Sequence, residues 1–451
     1  MAQRPLILRL AVRRQPLTGY ARRFASNETS SSKTSSTQTT TAVPPDWEDE
    51  AQTLSEFTQL PYKDFGKNQL IETNEEFKRA LRNILRKLPP VTYAFAYGSG
   101  VFPQSDVTTS RITNSPHPNP PEAILKWQKG GGKMIDFIVA ARYTEHFHSL
   151  NLARHRDHYS FLGSLGSGIV SHVNDKYGAG VYFNPYVDVN GAMIKYGVVS
   201  LQTLHRDLTD WDTLYLAGRL HKPVKILFEE PSIRVANQRN LLSAVRCSLL
   251  LLPPTFTEKQ LYCTIAGLSY QGDPRMDYGS ENPRKIENIV THQIRNFRLL
   301  YHDLIMSLPN VSYIDDKAIQ NPDWMDDTKL DLRLQQDMDP ERRGNIVRRL
   351  PKSFREKLYF LYQRKFAIPG REFQEMLDAS KDEEGILKKQ LGGPFDRRIA
   401  GETDLPDMVA RAVHQTVKWP STVQSIKSFF TAGPTRGWRY LQEKRAKGKE
   451  R

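Results

Sequence analysis

The sequence predicts an α+β fold. A mixed sheet with helices comes first, then a mostly helical, winged-helix-like part, and last a basic amphipathic C-terminal segment. Three observations predict it. The apolar, aromatic and β-branched run Val91–Tyr97 follows Pro89-Pro90, reads as a buried strand and ends in Gly98-Ser99. A second apolar run, Met134–Ala140, carries the single carboxylate Asp136, which is expensive inside core-like sequence unless paired, hydrogen-bonded or metal-bound. From about residue 236 the apolar spacing turns helical.

Composition bounds what such a chain can be. Its 451 residues suffice for two or three domains, which we assign to 55–235, 236–385 and 400–451. The net charge of +14 calls for an anionic partner: nucleic acid, nucleotide or acidic lipid. Only Cys247 and Cys263 occur, which excludes a disulfide framework and a cysteine-rich zinc site. No apolar run approaches the roughly 18 residues of a spanning helix, so the expectation is a soluble or peripheral protein.

At the start of the chain, Arg4, Arg9, Arg13, Arg14, Arg22 and Arg23 all precede the first acid, Glu28. With the interleaved Leu6, Ile7, Leu8 and Val12, and the Ser/Thr-rich stretch that follows, residues 1–45 read as a mitochondrial presequence with a disordered linker. Asn74-Glu75-Glu76 then opens a helix whose Phe77, Ala80, Leu81, Ile84 and Leu85 share a face. Residues 103–133, rich in Pro, Ser, Asn and Gly, separate the two strands as a flexible insertion. His146, His148, His155 and His158 invite a zinc reading, but packing or hydrogen bonding fits their spacing better.

Tyr177–Asn184 is a glycine turn entering a strand, and Asn190-Gly191 joins two strands as a hairpin. Lys195 on the second of these is placed to meet phosphate, and the basic set Arg219, His221, Lys222 and Lys225 follows a helical stretch. Asn240–Leu252, Thr257–Leu268 and Pro283–Met306 read as helices, with the polar turn Ser269–Met276 between the last two. Residues 314–345 look like loop, and Leu350–Phe366 like a basic-faced helix. In the tail Val409, Val413 and Val417 step by four, and Ile426, Phe429, Phe430 and Trp438 sit among basic residues. That pattern suits an anchor on an anionic membrane.

A strand ending in Gly98-Ser99 beside a strand holding Asp136 resembles the nucleotidyltransferase superfamily. More specifically, Tyr97–Phe102, Met134–Phe137, His158–Ser160, Tyr177–Tyr182, Ile194–Ser200, Leu216–Lys225, Ser269–Asp273 and Ser425–Gly433 resemble the mitochondrial CDP-diacylglycerol synthase family. That resemblance implies a phosphatidate cytidylyltransferase taking CTP and phosphatidic acid, upstream of phosphatidylglycerol and cardiolipin. It also implies peripheral attachment to the matrix side of the anionic inner mitochondrial membrane. On it we assign Asp136 to Mg²⁺, and Tyr97, Gly98, Ser99, Gly100 and Tyr196 to CTP and its phosphates. Lys195, Arg219 and Lys222 become phosphate clamps, and Ile426, Phe429, Phe430 and Trp438 membrane contacts. Where the superfamily has a second acid, this chain has Met134; Asp188 or Asp273 would complete the set, and Asp273 is kept among the catalytic candidates. The rivals are a mitochondrial RNA nucleotidyltransferase and a non-catalytic inner-membrane assembly factor. No nucleic acid is expected as partner, and homo-oligomerisation is left open.

Overall fold

The computed structural model describes residues 60, 63–102, 134–189, 191–277, 282–380 and 391–433. The presequence, the 103–133 insertion, Asn190 and Trp438 lie outside the described residues.

Asn74 caps the helix α1 (Glu75–Leu85), its carboxamide oxygen accepting from the Glu76 and Phe77 amides, with Glu75 and Glu76 favourably placed in the first turn. Five strands follow: β1 (Tyr93–Tyr97), β2 (Ile135–Ala141), β3 (Val181–Val189), β4 (Ala192–Ser200) and β5 (Lys225–Phe228). They form one mixed sheet in the order β3-β4-β2-β1-β5, in which β2 and β4 run parallel and the other pairs antiparallel. The fold is α+β, as the sequence predicts.

Alternation in these strands sorts side chains onto two covered faces. Ala94, Ala96, Phe137, Val139 and Val198 pack with Leu81, Ile84 and Leu85 of α1 and with Phe147 of helix α2 (Thr144–Arg154). The opposite face, with Tyr93, Phe95, Ile138, Phe183 and Val199, joins a larger core. That core continues through Leu204 of α4 (Leu201–Asp210) into α6 (Pro231–Leu251), α7 (Glu258–Gly267) and α9 (Ile294–Met306). Helix α3 is Ser167–Lys176, α5 is the short Ala217–Leu220 and α8 is Lys285–His292. Two charged residues enter this core as a pair: Arg298 and Glu258, both fully buried and hydrogen-bonded, with Arg298 also donating to the carbonyls of Trp324, Asp327 and Leu330.

Three details differ from the sequence reading. The stretch Pro283–Met306 is two helices, broken where Gln293 takes φ −124°, so that Val290 and Phe297 both reach the core. Residues 314–345 are not all loop. Arg333–Gln336 is the centre of a small antiparallel sheet with Thr255–Thr257 and Val311–Tyr313, and Pro340–Arg348 is the helix α10. Its buried Gln336 is polar, which hides the strand in the sequence; its amide donates to the carbonyls of Leu249, Leu252 and Pro253. Finally, Val409, Val413 and Val417 of the long helix α12 (Leu405–Ala432), which follows α11 (Lys352–Phe366), are buried in the protein's own core. The first half of the expected membrane segment is therefore packed on protein. Among the described residues no helix is long and apolar enough to cross a membrane.

Candidate active site

Strand register builds the site. Tyr97 of β1 pairs with Asp136 of β2, and Asp136 pairs with Lys195 of β4, so three candidate residues form one row across three strands. The row lies on the face turned toward the helical half, at the end of β1 and the start of β2. Lys195 Nζ stands 3.8 Å from Asp136 Oδ1, and both side chains are partly solvent-accessible. The separation is a charge attraction rather than a hydrogen bond. Lys195 also lies 4.5 Å from the centre of the Phe183 ring.

Gly98 turns the chain beside this row with φ +79°, a conformation that glycine adopts without strain. Its carbonyl accepts from the amides of Val101 and Phe102, closing a tight turn around Ser99 and Gly100. A Cβ on Gly98 would sit 3.4 Å from Asp136 Oδ2, so the bare backbone runs directly past the carboxylate. Gly100 is tighter still: a Cβ there would come within 2.7 Å of the Met134 carbonyl oxygen. Met134 thus contributes backbone to the floor of the turn.

A basic arm approaches from the loop after α4. The Asp207 carboxylate organises that loop by accepting from the amides of Thr213, Leu214, Leu216 and Ala217 and from the Thr213 hydroxyl. Those bonds hold Trp211 and Leu214 at positive φ and aim α5 at the sheet. The Arg219 guanidinium lies 3.8 Å over the Tyr215 ring, donates to the Tyr215 carbonyl and stands 5.6 Å from the Tyr97 ring. Burial raises the Tyr97 pKa, and the Asp136 charge adds to that shift.

Lys222 donates to the Gly218 carbonyl and, at 3.0 Å, to Ser269 Oγ. The Tyr270 ring lies between Lys222 at 5.0 Å and Lys285 at 5.3 Å. Burial, then the neighbouring Arg219 and Lys285 charges, pushes the Lys222 pKa well down. An anion placed among these cations would reverse that shift. His221, beside it, is kept neutral by burial, its pKa pushed down to about 3, while its Nε2 bonds Asn240.

Asp188 is exposed at the hairpin, where its Oδ1 accepts from the Gly191 amide. Asp273 is buried in the turn that carries Tyr270, its amide donating to the Tyr270 carbonyl. Tyr196 requires a correction. It alternates with Lys195, so its side chain is on the opposite face of the sheet, fully buried, where its hydroxyl bonds Asn151 and His158. It does not reach the Asp136 row.

The histidines divide in the same way. His148 bonds Tyr159 and Asn174, with its pKa pushed down to about 4 by burial, and His158 bonds Tyr196. His155 stacks on His158 and, with Asp157, brings three ligand atoms within 4.8 Å, but its Nε2 faces the Lys87 carbonyl. His146 is exposed. Sequence reasoning missed Asp207 and Lys285. An acid in mid-helix and a lysine opening another carry no local signal of what they face.

Comparison with known proteins gives the family. Residues 81–447 match the family described as "Phosphatidate cytidylyltransferase, mitochondrial". Proteins of that same name are similar along most of their length. The one from Schizosaccharomyces pombe is 34% identical over 382 residues, 84% of this chain and 86% of that protein. The one from Danio rerio is 35% identical, over 80% of this chain and 92% of its own. That from Drosophila melanogaster is 36% identical, over 80% and 95%.

Proposed function

The chain belongs to the mitochondrial phosphatidate cytidylyltransferase family, and from that membership we infer its reaction: CTP and phosphatidic acid give CDP-diacylglycerol and pyrophosphate. An oxygen of the phosphatidate phosphate attacks the α-phosphorus of CTP, and the bond from that phosphorus to the pyrophosphate oxygen breaks. The phosphatidate headgroup is already anionic near neutral pH, so no strong general base is required. The enzyme's work is to hold two polyanions together and to offset the charge that grows on pyrophosphate.

In this reading the Tyr97–Gly100 turn cradles the triphosphate against bare backbone, while Lys195, Arg219 and Lys222 take its phosphate oxygens, with Lys285 behind them. Mg²⁺ is the cofactor we propose. The hard oxygens of Asp136, partly open to solvent beside the unencumbered Gly98, suit a cation that takes few protein carboxylates and fills its shell with water and phosphate. When bound it would supply further charge neutralisation at the phosphates. Asp273, buried in the turn that carries Tyr270, is the second acid we propose.

The relatives are named as mitochondrial, and the Arg-rich, acid-free start of this chain supports import. We place the enzyme at the matrix face of the inner membrane, attached peripherally through the exposed Ile426, Phe429 and Phe430, with Trp438 and the basic end beyond them. The observation that supports the catalytic reading most is the row Tyr97–Asp136–Lys195 beside the Gly98 turn. Its test uses purified protein, Mg²⁺ and labelled CTP with either phosphatidate vesicles or tRNA. Asp136→Ala should abolish CDP-diacylglycerol formation at an unchanged melting temperature. Unchanged output, or label transferred to tRNA, overturns the reading.

A further inference from the structure

Helix α12 changes character along its length. Up to Val417 it buries valines; beyond the internal Pro420 the side facing the protein is polar. Gln424 accepts from the Ala179 amide and donates to the Val181 carbonyl. The Lys427 ammonium donates to the carbonyls of Val173, Asn174 and Tyr177 at the C-terminal end of α3. The side facing away is apolar: Trp419, Ile426 and Phe430 are each more than half exposed. A helix on a water-facing surface ordinarily does the reverse.

The end of α12 also meets a second apolar element. A Cβ on Gly433 would stand 3.4 Å from the Cβ of Ser160. Ser160 caps the 3-10 turn Phe161–Leu165, which leads into α3. Phe161 and Leu165 are each 57% exposed, and Ile169, one turn on, is 47% exposed. Of the fourteen large hydrophobic side chains exposed among the described residues, eight fall in the two abutting segments 161–177 and 419–430. Scattered single exposures need no explanation, but such a concentration does.

We propose that Phe161, Leu165 and Ile169 form a second bilayer-insertion element, which docks beside Ile426, Phe429 and Phe430 on one lipid surface. The occupant is a bilayer with anionic headgroups. After Gly433 the chain has seven Lys/Arg against two Glu, exposed Arg154 and Lys176 flank the first element, and the lipid substrate has two acyl chains that must stay in a bilayer. The polar-in, apolar-out docking of α12 fixes the two elements side by side rather than leaving the tail as a free tether. This inference rests on the reading of the chain as an enzyme of bilayer-held phosphatidate.

The test is co-flotation of the full chain with phosphatidylcholine vesicles, with and without phosphatidylglycerol, alongside activity on vesicle-borne and on short-chain, dispersed phosphatidate. The Phe161→Glu/Leu165→Glu variant should lose vesicle recovery and vesicle activity by about tenfold or more while keeping its short-chain activity, which also reports that it is folded. Leu165→Trp, a milder variant, should gain fluorescence quenching by bromine-labelled phosphatidylcholine beyond that of the wild type. Wild-type flotation of the 161/165 variant, with loss in Phe429→Glu/Phe430→Glu, would overturn the inference and leave the tail as sole anchor. A wild-type chain that neither floats nor makes CDP-diacylglycerol would remove the underlying reading as well.

Discussion

Lys195 Nζ lies 3.8 Å from Asp136 Oδ1 across the parallel pair β2–β4, close enough to attract and too far to share a proton. The two charges meet across the register row as an attraction, and both side chains keep some contact with solvent. A pair kept for stability alone would be expected to close to hydrogen-bond distance, and partly exposed pairs contribute at most about 1 kcal/mol. Lys195→Ala should accordingly melt close to the wild type yet lose CDP-diacylglycerol formation by roughly 10²–10³. Steady-state kinetics beside calorimetry decide it. A large fall in melting temperature with activity kept would make the pair structural.

Gly98 tests the cradle in a different way. At φ +79° an alanine costs roughly 1–2 kcal/mol of backbone strain, and its methyl would stand 3.4 Å from Asp136 Oδ2. Gly98→Ala should raise the KM for CTP and lower kcat together, with a modest loss of stability. Gly218→Ala acts one step away. Its methyl would fall 2.1 Å from Ser269 Cβ, forcing apart the two groups that hold Lys222. Its activity should fall through Lys222 while the sheet stays intact.

Much of the site was legible because it is local or in register. Val91–Tyr97, Gly98-Ser99 and Asp136 are contiguous signals, and adjacent strands bring them together wherever the sheet forms. The alternation of Lys195 and Tyr196 was legible too, and ought to have separated them: neighbours on a strand face opposite ways. Tyr196 belongs to a buried hydroxyl network instead. What stayed illegible depends on long-range packing. Asp207 gathers four amides of a loop that has no motif, and Lys285 meets Lys222 only through Tyr270. Similarly Val417 and Ile426 lie about 180° apart on the helical wheel, and only the tertiary fold decides which of those two faces turns inward.

Tyr196→Phe turns that correction into an expectation. The hydroxyl bonds Asn151 at 2.8 Å and His158 at 2.8 Å, so its loss leaves buried partners unmatched at about 1–3 kcal/mol. The melting temperature should fall while the KM for CTP stays at its wild-type value. A raised KM with normal stability would return Tyr196 to the nucleotide.

Lys222 predicts linkage between substrate and protons. Burial, Arg219 and Lys285 depress its pKa in the free enzyme, and a triphosphate among the three cations stabilises the charged form. CTP binding should therefore take up protons at pH values above the depressed pKa, and affinity should weaken as pH rises. Calorimetry of CTP binding in buffers of different ionisation enthalpy measures the uptake. Lys222→Arg, charged throughout, should abolish it.

Lys427 bears on how the C-terminal helix stays docked. Its ammonium bridges three carbonyls at the end of α3, where the helix dipole also favours a cation, while burial pulls its pKa down to about 7. Lys427→Met removes the donor and should cost about 1–3 kcal/mol, loosening the turns of α12 after Pro420. The pH dependence has a definite sign. Between about 7 and the ordinary lysine value the unfolded chain binds the proton that the folded one has released, so this group makes stability rise with pH across that window. Wild-type unfolding free energy should therefore climb relative to Lys427→Met from pH 7 to pH 10. Chemical denaturation at several pH values reads the slope, and limited proteolysis reads the release of the helix. A flat difference across that window would mean that Lys427 stays charged against its carbonyls, with the docking governed by those three bonds alone.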